Sequence, residues 1–233
     1  VEKPVVIGIV TKHFNKDTFY GWSWMRISNN LRYALTKNGA LCMGILPQPK
    51  NLYFQEVDEH DDTPMSKEEQ DNFVKFIDMC DGIVLQGGMN SCYYEEFTAK
   101  YCYEKDIPLL GICAGYNTMI RALGGTTVKL INDEHDRPFS QYVHSATVTD
   151  ENSLYYSIVK EKTFMVNSIH QYIGDKIPPQ LSVVSLSCDG QVEVVEAKDK
   201  KFYLGIKHHP ELLCDIDEKQ NRIFEAFIKA CKK

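Results

Sequence analysis

Three short segments carry side chains whose types and spacing suit acyl transfer. In Gly111-Ile-Cys113-Ala-Gly115 a cysteine stands where the apolar run Ile107–Ile112 gives way to a helical pattern. A nucleophile on such a turn is held out at the carboxyl edge of a sheet, and small neighbours are required because the backbone bends sharply there. The amino end of the following helix favours thiolate over thiol, and its first amide, on Ala114, can face the oxyanion of a tetrahedral intermediate. The plain alternative is a buried cysteine at an ordinary strand–helix corner. In His208-His209-Pro210-Glu211, alternation along an extended chain carries His209 and Glu211 to one side and His208 to the other. That suits an imidazole taking the thiol proton and a carboxylate holding its tautomer. The alternative is a loop with a surface charge pair. Leu85-Gln-Gly87-Gly88-Met89-Asn90 closes another apolar run. Its bare glycine amides suit a second oxyanion donor, or a plain turn.

Metal chemistry has little support in the sequence. The eight cysteines, at 42, 80, 92, 102, 113, 188, 214 and 231, form no Cys-x-x-Cys pair, so neither a zinc site nor a dithiol couple is signalled. His208 and His209 are adjacent and point apart, and His135 and His144 carry no assigned role. No cofactor is expected.

These segments need strands and helices to position them. Val5–Val10 reads as a buried first strand, residues 22–37 as a helix stopped by Asn38-Gly39, and Ala40–Leu46 as a second strand. The stretch 48–64 is polar, acidic and irregular. Ser66 with Glu69 makes a capping box for a helix through Cys80. Gly82–Leu85, a helix over Tyr93–Lys105, Ile107–Ile112 and a helix over Ala114–Leu123 complete a strand–helix alternation, the pattern of a parallel doubly wound sheet. The second half turns to short strands at Val143–Val148, Thr163–Val166, Leu181–Ser187, Val192–Ala197 and Phe202–Ile206, with an Asp189-Gly190 hairpin turn and a last amphipathic helix over residues 217–230. Residues 1–233 read as one α/β domain with a small antiparallel extension beside the parallel sheet.

Composition narrows the class. The chain has 233 residues, 43% hydrophobic and 25% charged, an ordinary globular balance. Lysine plus arginine number 26 against 32 acidic residues, a net charge of −6, which argues against a phosphate-backbone footprint and hence against a nucleic-acid partner. No apolar run approaches the ~20 residues of a membrane span. The start Val1-Glu-Lys-Pro lacks a secretory pattern. A reduced, cytoplasmic protein is expected.

With these residues in view, the chain resembles the class I glutamine amidotransferase-like hydrolases, specifically the peptidase C26 branch related to γ-glutamyl-γ-aminobutyrate hydrolase. The resemblance runs through the opening Lys3-Pro-Val-Val-Ile-Gly8-Ile, Asp81-Gly-Ile-Val-Leu-Gln-Gly87-Gly88, Asp106 to Gly115, and Ala122-Leu-Gly-Gly-Thr126. It continues in Val166-Asn-Ser-Ile-His170-Gln, Asp189-Gly-Gln-Val-Glu193 and Gly205-Ile-Lys-His-His209-Pro-Glu211. It implies a flavodoxin-like fold and a triad of Cys113 as nucleophile, His209 as base then acid, and Glu211 as orienter. Gly88, Met89 and Ala114 would form the oxyanion hole. Asn117 with Ser168, Ile169 and His170 would hold the amino-acid head of a small γ-glutamyl substrate, and no metal would take part. The chain departs from the branch in having Ala114 for arginine, Asn117 for glutamine and Met89-Asn90 for a small residue and aspartate. The segment between Gly88 and Cys113 is also shorter. Three readings compete: a stand-alone γ-glutamyl amide hydrolase working through a thioester, a glutaminase subunit feeding ammonia to a synthetase, and a non-catalytic binding protein on the same scaffold. A homodimer is left open.

Overall fold

A computed structural model describes residues 3–14, 24–49, 63–88, 91–131, 134–138 and 140–232. The strands are β1 (Val6–Val10), β2 (Lys12–Phe14), β3 (Trp24–Arg26), β4 (Leu41–Ile45), β5 (Gly82–Leu85), β6 (Leu109–Ile112), β7 (Thr127–Lys129), β8 (His144–Val148), β9 (Thr163–Val166), β10 (Tyr172–Gly174), β11 (Ser182–Ser187), β12 (Val192–Glu196) and β13 (Tyr203–Ile206). The helices are α1 (Asn29–Lys37), α2 (Lys67–Asp78), α3 (Tyr93–Lys105), α4 (Ala114–Ala122), α5 (Leu154–Val159) and α6 (Glu218–Cys231). Nine strands form one sheet in the order β4-β1-β5-β6-β13-β12-β11-β8-β9. The block from β4 to β13 is parallel, and every pairing from β13 outward is antiparallel. The antiparallel part thus continues the same sheet. None of the described helices is long and apolar enough to cross a membrane.

Both faces of the parallel block are covered, which is why its strands read as near-continuous apolar runs. On β5, Val84 turns to one face while Ile83 and Leu85 turn to the other. The first face packs against α1, α5 and α6, through Leu31, Tyr155, Ile223, Phe224 and Phe227. The second packs against α2, α3 and α4, through Phe73, Tyr94, Met119 and Ile120. Each such side chain, fully withdrawn from water, contributes roughly 1.5–3 kcal/mol.

Local signals behave as their chemistry dictates. Ser66 caps α2 reciprocally with Glu69, whose carboxylate accepts from the Ser66 amide at 2.7 Å. The turn at Asp189-Gly190 joins β11 to β12, with Gly190 at φ +84°. One expected helix is shorter than its periodicity suggests. Residues 24–26 form β3 and pair with β2, and α1 begins only after Ser28. Ser28 adopts an extended backbone and its hydroxyl accepts from the Leu31 amide, which sets the helix start. Trp24, inside the expected helix, is 46% exposed; residue 22 lies outside the described residues. Beyond the elements expected from the sequence, the fold also contains β2, β7, β10 and α5.

The ends of β5, β6 and β13 lie side by side, in register at Leu85, Gly111 and Gly205. Helix α4, which leaves β6 at Cys113, crosses this edge so closely that a methyl on Gly115 would lie 2.1 Å from the Leu85 carbonyl oxygen. That oxygen is backbone and cannot turn aside. Gly115→Ala is therefore expected to destabilise the protein by about 3 kcal/mol, read as a lowered urea midpoint; an unchanged midpoint would refute the close crossing.

Candidate active site

Cys113 sits between the last residue of β6 and the first turn of α4, with φ 53° and ψ −101°. A non-glycine residue there stores strain, and only a surrounding structure that over-determines the turn maintains it. Its amide donates to the Ile206 carbonyl at 2.8 Å, tying the elbow to β13. Its Sγ donates to the Ile169 carbonyl at 3.8 Å. Ala114 opens α4, so its amide is among those that a helix leaves without an internal acceptor.

His209 follows β13 and approaches the thiol across the end of β5. A methyl on Gly87 would lie 2.6 Å from Cε1 of His209 and 3.4 Å from Cβ of Cys113, so the bare glycine is what lets ring and elbow meet. Glu211 Oε1 accepts from His209 Nδ1 at 2.7 Å. Because a carboxylate only accepts, the proton resides on Nδ1 and leaves Nε2 for the cysteine, to which the ring is hydrogen-bonded. The route to this pairing differs from simple alternation. Residues Pro210–Leu212 form a 3-10 turn, and it is the turn that swings Glu211 back under the ring. His208 points away, fully buried, with Nε2 3.1 Å from Gln220 Oε1.

Burial alone would push the Cys113 thiol up. The opposing charges of His209 and Lys207, with the His209 hydrogen bond, outweigh it and bring the pKa down to about 7. Burial likewise works against a charged His209, yet Glu211 and the thiolate raise it well above the usual imidazole value. Above about pH 7 the pair therefore stands as thiolate and imidazolium.

The other expected residues fall in varied places. Gly88 lies against the stem of Lys12, whose ammonium is paired with the buried Glu95 at 2.8 Å. Met89 lies outside the described residues. Asn117 is one turn beyond Cys113 on α4, buried, with Oδ1 accepting from Lys207 Nζ at 3.2 Å. Ser168 is fully buried and donates to the His135 carbonyl at 2.8 Å. Ile169 offers its carbonyl to the thiol. His170 is 6% exposed and both its ring nitrogens lack a hydrogen-bond partner. Burial, then Lys207 and the neighbouring rings, lower its pKa and keep it neutral.

Two residues at the site were not singled out from the sequence. Lys207, fully buried, places its ammonium against Asn117 and 5.4 Å from the Tyr116 ring centroid. It lies two positions before His209, just past the end of β13, so strand alternation carried on from β13 would put the two on one side, a readable signal. Asn167 clamps the base from behind: its Oδ1 accepts from the His209 amide and its Nδ2 donates to the His209 carbonyl, both at 2.8 Å. Only the Asn-Ser-x-His resemblance pointed toward it. A buried thiolate, a carboxylate-oriented imidazolium and a helix amino terminus form an arrangement able to attack a carbonyl carbon and return a proton to the leaving group.

Comparisons with known proteins bear on this geometry. The family model described as Peptidase C26 matches residues 93–211, just over half of the chain. A GMP synthase (glutamine-hydrolyzing) of Lachnospira eligens is 35% identical over 134 residues, which are 57% of this chain and 24% of that protein. A gamma-glutamyl-gamma-aminobutyrate hydrolase of Escherichia coli K12 is 30% identical over 141 residues, 55% of this chain and 56% of that one. The matched part of this chain thus spans about a quarter of the first relative and just over half of the second. The glutaminase domain of Trypanosoma brucei CTPS, solved with bound acivicin, superposes with a TM-score of 0.66 at 16% identity, covering 97% of this chain and 93% of that one. At that identity the likeness is one of fold.

Alkylation of Cys113 by iodoacetamide should follow a sigmoid in pH with a midpoint near 7, slow below it and level above about pH 8, since only the thiolate reacts. Lys207→Met removes a charge that lowers this value, so the midpoint should move up. A midpoint that stays near 7 would show that the buried ammonium does not tune the thiol.

Proposed function

Since the chain belongs to the Peptidase C26 family, among the class I glutamine amidotransferase-like proteins, we propose that it hydrolyses the γ-amide bond of a small γ-glutamyl compound at Cys113. The observation that carries the proposal is the line from thiol to imidazole to carboxylate, with His209 between Cys113 and Glu211. The Cys113 thiolate attacks the γ-carbonyl carbon, and the carbonyl electrons move onto oxygen. The Ala114 amide, with the glycine-rich end of β5, would take up that oxyanion. As the intermediate collapses, the C–N bond breaks and His209 gives its proton to the departing amine or ammonia, leaving a γ-glutamyl thioester. Water then attacks the thioester carbon while His209 takes its proton, and the thiolate leaves with free glutamate as the product. Glu211 holds Nδ1–H throughout, and its charge favours the imidazolium that the resting pair and the leaving-group step both require. Asn117 and the Ser168–His170 stretch would hold the amino-acid head of the substrate, with Lys207 held against Asn117.

A second reading has specific support in the match to a GMP synthase described as glutamine-hydrolyzing. On that reading glutamine is the substrate and the ammonia passes to a partner synthetase. The two differ in what they require. A hydrolase works alone on substituted amides, whereas a glutaminase subunit prefers glutamine and quickens when its partner binds.

Exposure to 6-diazo-5-oxonorleucine should add one adduct at Cys113, located by mass spectrometry, and Cys113→Ala should abolish both labelling and turnover of a γ-glutamyl amide panel in a folded protein. Full hydrolysis by Cys113→Ala would end the proposal. Asn167→Ala should lower kcat by roughly 100-fold with little change in KM, because it frees the backbone of the base without touching substrate. Equal losses in kcat and stability would make it merely structural.

A further inference from the structure

Behind the Ser168–His170 stretch, four residues from separate segments meet in the interior. His135 comes from the loop after β7, His144 from the start of β8, His170 from the loop after β9, and Glu193 from β12. One ligand-capable atom from each lies within 4.8 Å of all the others. All four are buried, Glu193 completely. Polar atoms of the cluster are unsatisfied: His144 Nε2, both nitrogens of His170 and both oxygens of Glu193 have no hydrogen-bond partner among the described residues, Glu193 Oε2 lying 3.6 Å from His208 Nδ1. Buried polar groups are almost always paired, and five orphans in one cluster call for a ligand; a single ion would take up His144 Nε2, one nitrogen of His170 and the Glu193 carboxylate.

In His135 and His144 the second ring nitrogen is, by contrast, anchored. His135 Nε2 lies 2.9 Å from Asp189 Oδ2. That carboxylate also accepts from Ser187, so it is itself fixed. With Nε2–H given to Asp189, the lone pair of the neutral ring is on Nδ1. The Ser168 hydroxyl lies 3.3 Å from that nitrogen and 2.8 Å from the His135 carbonyl, and its single proton goes to the shorter contact, which leaves the Nδ1 lone pair for a ligand. His144 Nδ1 lies 3.2 Å from the Ser145 carbonyl, which leaves Nε2 bare and 3.5 Å from Glu193 Oε1. Histidines that ligate metals are oriented in this way, one nitrogen on a carboxylate or carbonyl and the other on the ion.

We propose that His135, His144, His170 and Glu193 form a buried four-ligand site for a divalent transition-metal ion of the zinc class. Three imidazoles and one carboxylate are a donor set such ions prefer. The charges match, because Glu193 and the Asp189 behind His135 together balance a dication. Metal–ligand bonds of about 2.0–2.1 Å put tetrahedral ligand atoms roughly 3.4 Å apart, so a cluster spanning 4.8 Å closes by small rotations of its side chains. The ion would pin the loop around His135 and the Asn167–His170 stretch to β8 and β12. That stretch holds the His209 backbone through Asn167 and presents the Ile169 carbonyl to the thiol, so the site would brace one wall of the active centre. This inference stands apart from the hydrolase reading and does not depend on it.

The test is a zinc titration of chelator-stripped full-length protein against a chromophoric competitor, with metal content measured after gel filtration. The wild type and Cys113→Ser should each retain about one equivalent of zinc, whereas His144→Asn and Glu193→Gln, shown folded by circular dichroism, should retain less than about a tenth. Asp189→Asn, at a residue that supports His135 without being a ligand, should weaken binding about 10–100-fold. Cobalt in the wild-type protein should give four-coordinate d–d bands without sulfur charge transfer, a readout that needs no variant. Failure of the wild type to retain metal, retention by both cluster variants, or loss in Cys113→Ser would each overturn the proposal.

Discussion

The site depends on how closely three backbones approach at one edge of the sheet. β5, β6 and β13 end in register, and α4 must leave β6 directly against the end of β5. Gly115 rests on the Leu85 carbonyl, and Gly87 fills the narrow space between the His209 ring and the Cys113 elbow. A side chain at either point would separate the sulfur from the imidazole. The strained backbone at Cys113 belongs to the same constraint. An L-residue at φ 53° persists there because its amide is fixed to β13 and its carbonyl already accepts from Asn117 inside α4. The elbow is therefore a property of the packed edge, and the five residues that spell it cannot adopt it alone.

Once sulfur and ring are joined, their ionisation follows from burial opposed by charge. Desolvation disfavours both the thiolate and the imidazolium, but forming them as a pair makes each the other's counter-ion. Glu211 favours the imidazolium and works against the thiolate. The buried ammonium of Lys207 works in the opposite sense on the thiol, and burial in turn holds the lysine below its ordinary value. The site is thus a balance of four charges in a dry interior, in which moving any one alters the protonation of the others.

The sequence made part of this arrangement legible. Cys113, the glycine pairs and His-x-Glu lie in local signatures, where strand, turn and helix signals coincide with the chemistry. The parallel strands were legible for a related reason, since burial on both faces leaves uninterrupted apolar runs at β1, β5 and β6. Periodicity misled at Trp24 because helix and short strand share apolar spacings over three residues, and the capping hydroxyl of Ser28 decided the matter. Asn167 and the His135–His144–His170–Glu193 cluster were illegible for a different reason. Their members are spread over 59 positions from 135 to 193, and only the pairing of β8 with β9 and with β11, and of β11 with β12, brings them together.

That contrast reflects a division between the two halves of the sheet. The parallel half supplies the nucleophile and the base from the ends of adjacent strands, a placement fixed by backbone register. The antiparallel half supplies what steadies the base, Asn167 on both sides of the His209 peptide, and it also holds the buried cluster of Glu193 and its histidines. Buried polar groups are costly unless their partners are held in place, and this half concentrates them. Apolar residues in the same positions would pack at less cost, but they would give the base no backbone clamp. The polar interior of the antiparallel half is therefore best understood as the support of the catalytic edge.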